Sequence, residues 1–196
     1  MKRLLTLLGS ITVLLALFGC AHPITMNPDL AAVKAQKPAV VDRTVGYYIA
    51  DASRAIEVTT GGGGGDKVRY FPYRDLEPGF YKALSESFRD VRKIQNPADA
   101  TAVAASGISL LITPEISTIS SSESLLTWPP TQFTVNLVCK ITDTKGVLVT
   151  EVRVSGYGQA TFDEFKSNFS LAAVRASNNA LGLLIKALGE TPALRP

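Results

Sequence analysis

Five consecutive glycines, Gly61 to Gly65, followed by Asp66, Lys67 and Val68, are the stretch whose composition comes nearest to phosphate chemistry. A phosphate-cradling loop of the form G-x-x-x-x-G-K-[ST] wraps phosphate in backbone N–H groups, reaches the outer phosphates with its lysine and holds Mg²⁺ with its hydroxyl. Counted from Gly61, Asp66 takes the place of the second glycine and Val68 that of the hydroxyl residue. An aspartate there repels phosphate, and the strand-like VRYFPY after Lys67 omits the helix N-terminus that would supply partial positive charge. A dinucleotide fingerprint fails at Asp66 as well. No nucleotide is expected, and the tract reads as the flexible tip of a hairpin.

Other residues that could do chemistry lack partners. Ser120, Ser121 and Ser122 could offer a nucleophile, but no histidine is available to activate one and no S-x-x-K motif surrounds them. One histidine and two cysteines build no soft metal site, and the carboxylates show no calcium-loop spacing. Asp163 and Glu164 read as helix-start acids. Asp75 and Glu77 remain as carboxylates for a glycan-active enzyme, which would need two acids at suitable separation in one pocket. The expectation is no catalytic residue, no cofactor and no metal.

Cys20 is different. Residues 1–19, MKRLLTLLGSITVLLALFG, start with Lys2 and Arg3 and continue in an apolar run too short for a stable membrane span, which is the pattern of an export signal. Leu17-Phe18-Gly19-Cys20 at its end resembles the lipobox of bacterial lipoproteins, with Phe18 bulkier than the usual residue at its place. A cysteine is needed because its thiolate takes the diacylglyceryl group, and cleavage then frees its amine for a further acyl chain such as palmitate. Each buried CH₂ contributes about 0.8 kcal/mol, so three chains anchor permanently where one binds marginally. Ala21, where an aspartate would favour retention on the inner membrane, points to the outer membrane with the domain facing the periplasm. Loss of Lys2 and Arg3 with the signal lowers the formal charge from +3 to +1, which steers the chain toward neither nucleic acid nor anionic lipid.

Residues 20–39 are polar and proline-punctuated, and read as an acylated N-terminus and flexible tether containing a solvated His22. One domain follows over 40–190, with a tail at 191–196. Within it VVDRTVGYYIA, AIEVTT and VRYFPY read as strands. DLEPGFYKALSESFRDV reads as a helix capped by Asp75 with a stripe of Leu76, Phe80, Leu84, Phe88 and Val91. GISLLITPEISTI, FTVNLVCKI and VLVTEVRVSGYGQA are three further strands, the last two joined by a turn at Asp143-Thr144-Lys145-Gly146, with Leu148, Val152 and Val154 facing inward. Cys139, on the apolar face of its strand, is a core filler. The C-terminal helix, between Ser167 and Gly189, buries Phe169, Ala172, Ala173, Ala176, Ala180, Leu183, Leu184 and Ala187, its alanines suiting close packing on a sheet. This order predicts an α+β two-layer sandwich, a mainly antiparallel sheet of four to five strands with two helices on one face.

The lipobox, the strand around Val45 to Ile49, the Arg74-Asp75-Leu76 step into a helix, the three strands and a C-terminal helix opening near Ser167-Asn168 together resemble the YajG-type outer-membrane lipoproteins. The glycine tract and the Ser117 to Pro130 loop depart from that pattern. The resemblance implies an envelope accessory protein and brings no catalytic residues with it.

Two surfaces are candidates for partner binding. Tyr70, Phe71, Tyr73 and Arg74 interleave cation and aromatic side chains, and Leu125, Leu126 and Trp128 form an apolar stretch before Pro129. The expected function is a lipid-anchored, non-catalytic binding or scaffolding accessory of an envelope assembly with a protein partner. The alternative is a carrier of lipid or another amphiphile, which requires an apolar cavity of about 300 Å³ or more.

Overall fold

The computed structural model describes residues 21–35, 40–61, 67–122 and 130–195. A five-stranded sheet forms one layer, in the order β5-β2-β6-β7-β8. Its strands are β2 (Val41–Tyr47), β5 (Phe88–Lys93), β6 (Leu110–Ser121), β7 (Gln132–Asp143) and β8 (Leu148–Gln159). β6, β7 and β8 pair antiparallel, as the hairpin turn predicts, with Gly146 at φ +82° and the Asp143 carboxylate accepting from Lys145 N and Val147 N. β5 and β6 both run parallel to β2, so the sheet is mixed.

The second layer holds α2 (Pro72–Ser87), α5 (Leu171–Glu190) and a small sheet of β1 (Ala21–Pro23), β4 (Lys67–Tyr70) and β3 (Val58–Gly61), with β4 in its centre. The α+β two-layer prediction therefore holds, with both long helices on one face. Three short helices complete the fold: α1 (Asp51–Arg54), α3 (Ala100–Ala105) and α4 (Phe162–Ser167). The chain passes from β2 through α2 to β5, and then back across β2 through α3 to β6. Parallel crossovers are right-handed, so two connections moving in opposite directions must use opposite faces. Accordingly Val103 of α3 packs with Ile94, Ile108 and Leu111 in a cluster of their own, while Leu110 and Ile112 point into the main core.

Phe133, Val135, Leu137, Cys139 and Ile141 alternate into that core, and burial raises the Cys139 thiol pKa well above its usual value. Beside them β8 presents Gly156 and Gly158. A Cβ on Gly158 would stand 2.2 Å from the Ala172 carbonyl oxygen and 2.3 Å from Ala176 N. One on Gly156 would meet Ala180 N at 2.3 Å. Alanines on α5 and glycines on β8 thus let helix backbone rest against strand backbone. The outer edge of β8 is partly closed by the same helix: Asn179 Oδ1 accepts from Tyr157 N at 3.0 Å, and Arg175 donates to the Gln159 carbonyl at 2.7 Å.

Several local expectations are corrected. The tether proposed for 20–39 is packed structure over 21–35: β1 pairs with β4, and Met26 and Val33 are fully buried. His22 is half-buried, its ring 5.8 Å from that of Phe169. The first helix starts at Pro72, three residues before Asp75, with Pro72 in the position where a missing N–H is harmless. It ends at Ser87, and Phe88 and Val91 belong to β5. Leu148 is exposed, not inward. The last helix is two: α4, with a Thr161–Glu164 capping box, and α5, which starts at Leu171 and runs through Gly189 to Glu190. Phe169 and Leu183 are exposed, while Leu181, Ile185 and Leu188 fill the face assigned to them.

Gly158→Ala is expected to lose about 3 kcal/mol of unfolding free energy, because the added methyl meets backbone that no rotamer can move aside. Gly182→Ala, in α5 with open space around it, is expected to gain up to about 1 kcal/mol. Urea titration of both variants checks the contrast, and equal stabilities would refute the close-approach account.

Candidate functional site

Cys20, Leu125, Leu126, Trp128 and the tract 62–66 lie outside the described residues. The structure places their flanks at one end of the molecule. Ala21 pairs with Lys67, which pairs with Gly61, whose carbonyl accepts from Ser120 Oγ at 2.7 Å. Ser120 and Ser121 are the last residues of β6, opposite Phe133 and Gln132 at the start of β7. Ala21, Gly61, Lys67 and Ser121, the described neighbours of these stretches, therefore meet at this end although distant in sequence.

The aromatic run divides. Tyr70 is fully buried, its hydroxyl bonded to Thr118 Oγ1 at 2.7 Å and its ring edge-on to Phe133, so it is a core residue and not part of a docking surface. The hydroxyl of Tyr73 accepts from Ile116 N at 3.1 Å. That bond satisfies β6 backbone beyond its pairing with β2, which stops at Ile112. Arg74 and Phe71 remain at the surface, the guanidinium stacked 3.7 Å from the ring centroid.

Asp75 and Glu77 sit two residues apart on α2, which directs them to opposite sides of the helix. Asp75 is buried and accepts from Met26 N at 3.2 Å, so its carboxylate holds the N-terminal segment in place. Nearby, Pro28 and Leu181 both close over Gly79, and Asp29 N donates to Asn178 Oδ1 at 2.9 Å. Glu77 faces the other way and accepts from Arg54 Nε and Nη2 at 2.7 and 2.9 Å, from Lys93 at 3.0 Å and from the Tyr47 hydroxyl at 3.3 Å. The Arg54 hydrogen bonds, against the opposing effect of burial, hold the Glu77 carboxyl at a pKa of about 2. Burial, reinforced by the Glu77 charge, raises the Tyr47 hydroxyl to about 12. A carboxyl ionised so firmly donates no proton near neutral pH, and these two acids share no pocket. Sequence spacing gave no signal of this cluster, because Arg54, Glu77 and Lys93 converge from α1, α2 and β5.

A groove of about 920 Å³ runs between the C-terminal halves of α2 and α5. Its lining mixes Ala35, Leu183 and Ile185 with Lys34, Glu86 and Lys186, and its volume exceeds what an amphiphile carrier requires. Among the described residues no three histidine, cysteine or acidic side chains gather as a metal site, and no helix is long and apolar enough to cross a membrane.

No family model matches the chain, and no curated relative does. Among solved structures it is similar to a DUF330 protein from Xanthomonas campestris, at 12% identity and a TM-score of 0.49, over 88% of this chain and 92% of that one. It is also similar to a chain from Caulobacter crescentus CB15 described as a "putative lipoprotein", at 10% identity and a TM-score of 0.28, over 59% of this chain and 82% of that one.

The Glu77 cluster generates an acid dependence with a defined sign. The folded pKa lies below the unfolded value of about 4.3, so its stabilisation is fully present above that pH and disappears as pH falls toward 2. Glu77→Gln is expected to cost about 2 kcal/mol at neutral pH, where it leaves Arg54 and Lys93 without their carboxylate, and less at pH 3. Denaturant titration across this range checks it, and a cost independent of pH would contradict the assignment.

Proposed function

We propose that this protein is a lipid-anchored, non-catalytic lipoprotein of the bacterial envelope, acting as a binding or scaffolding accessory of an envelope assembly. The observation that carries the reading is the junction at Cys20: the lipobox cysteine is followed at the next residue by the first strand of the domain. An acylated cysteine there becomes the N-terminus of a folded unit. Ala21 after Cys20 favours the outer membrane, with the domain in the periplasm. The engagement of Asp75 and Glu77 in structural bonds supports a role without acid–base catalysis. The resemblance to YajG-type lipoproteins, on the residues quoted above, agrees with an accessory role. Among the described residues of the predicted partner surface, Arg74 is exposed and stacks on the half-buried Phe71.

Two measurements test this together. Palmitate labelling in cells is expected on the wild type and absent from Cys20→Ala. A photocrosslinker in place of Arg74 is expected to yield a discrete protein adduct from the anchored form and a weaker one from Cys20→Ala. No label on Cys20 would refute the anchor, and adducts with bulk lipid alone would refute the partner.

A further inference from the structure

Next to the point where the chain enters the fold lies an apolar turn that the core does not use. The His22 ring contacts that of Phe169, and Thr25 N donates to Ser170 Oγ at 3.0 Å. The turn from α4 to α5 therefore lies beside His22 and Thr25, the residues that follow closely on Ala21. Phe162 is 54% exposed and Phe169 42%, while Phe165 between them is buried. These phenyl groups stand on a fixed element: Thr161 and Glu164 close a capping box, and Glu164 pairs with Arg175 at 2.8 Å. The charges nearby cancel, with Asp163 paired to Lys166 at 2.8 Å, and the Lys166 ammonium 4.8 Å from the Phe162 ring centroid. On the outer face of the sheet near the same end, Ile119 and Tyr157 are also exposed, in one row through Thr134.

We propose that this end is a bilayer-contacting face, with Phe162 and Phe169 entering the interfacial layer of the leaflet that holds the Cys20 lipid. The proposal rests on the lipid-anchor reading. It follows from the absence of any spacer: successive Cα atoms are about 3.8 Å apart, so an acylated Cys20 brings the headgroups to the surface where β1 begins. Apolar side chains on an anchored element reach roughly 5–10 Å into the headgroup and acyl boundary. Because the charges on the turn itself cancel, its contact is apolar and needs no anionic lipid.

The test uses the full lipidated protein in phosphatidylethanolamine/phosphatidylglycerol vesicles, with a nitroxide on Phe162→Cys or, as a second site, on Lys166→Cys. Cys139 is fully buried and stays unlabelled. The expected result is loss of collisions with a water-soluble nickel chelate and gain of collisions with oxygen at both sites, unchanged by high salt or by vesicles without phosphatidylglycerol. A label on Lys145→Cys, in the turn at the far end of β7, is expected to remain accessible to the chelate. Full chelate access at 162 and 166, with acyl chains on Cys20 confirmed by mass spectrometry, would overturn the proposal and leave the anchor reading intact. Protection that persists in detergent without bilayer, or depends on anionic lipid, would also overturn it. A Cys20 without acyl chains would remove both readings.

Discussion

The contact on which the rest of the structure depends is the backbone approach between α5 and β8. Gly156 and Gly158 leave no side chain between strand and helix, and Ala172, Ala176 and Ala180 keep the helix side equally thin. Dispersion falls steeply with separation, so seating a helix this closely brings many atoms into range at once. The depth of that seat sets the position of Leu181 and Asn178 on α5. Leu181 shares the space over Gly79 with Pro28, and Asn178 accepts from Asp29 N, so the N-terminal segment follows their position. Moving α5 outward by the width of one methyl group would loosen the path of residues 24–33, and with it the place where β1 joins β4.

The second tie is polar. Met26 lies fully buried with its backbone N–H on the Asp75 carboxylate. A buried donor left without a partner costs about 1–3 kcal/mol, so the bond fixes where this segment can cross α2. Glu77 performs a comparable task on the other side of the helix, joining α1 and β5 to it through Arg54 and Lys93. Two carboxylates that a composition-based reading offers as an acid–base pair are separated by helical geometry into two structural clamps.

Much of the architecture was legible because β7 alternates cleanly and the Asp143–Gly146 turn joins it to β8 as a hairpin. Errors arose where two periods share the same residues. Phe88 and Val91 continue a helical stripe from Leu84, and only their pairing with β2 turns them into a strand, a tertiary effect that local spacing does not encode. Residues 21–35 look like a linker because prolines and polar residues hide the two that matter, Met26 and Val33, seven apart and in no regular element. Tyr70 looked like a binding aromatic because its strand alternates, and alternation does not say which face is covered. The carboxylate clamps were illegible for a related reason, since their partners come from the N-terminal segment, α1, β2 and β5.

The ordered N-terminal segment changes what a lipid at Cys20 would do. A flexible tether of about twenty residues would let the domain sample a shell some 25 Å deep and every orientation above the membrane. Here Ala21 already occupies a strand, in register with Lys67, so a lipid on Cys20 would reach the domain with no spacer residue between them. Orientation would then be set by whichever surface surrounds Ala21, and the conformational entropy that a tether would lose on docking would be absent from the start. The sheet's outer face, with the polar rows Ser117-Asn136-Ser155 and Thr113-Lys140-Glu151, would stay at a fixed attitude to a bilayer that held such a lipid. A partner held in the same membrane would meet a surface already turned to a set angle, and specificity can rest on placement as much as on side-chain chemistry.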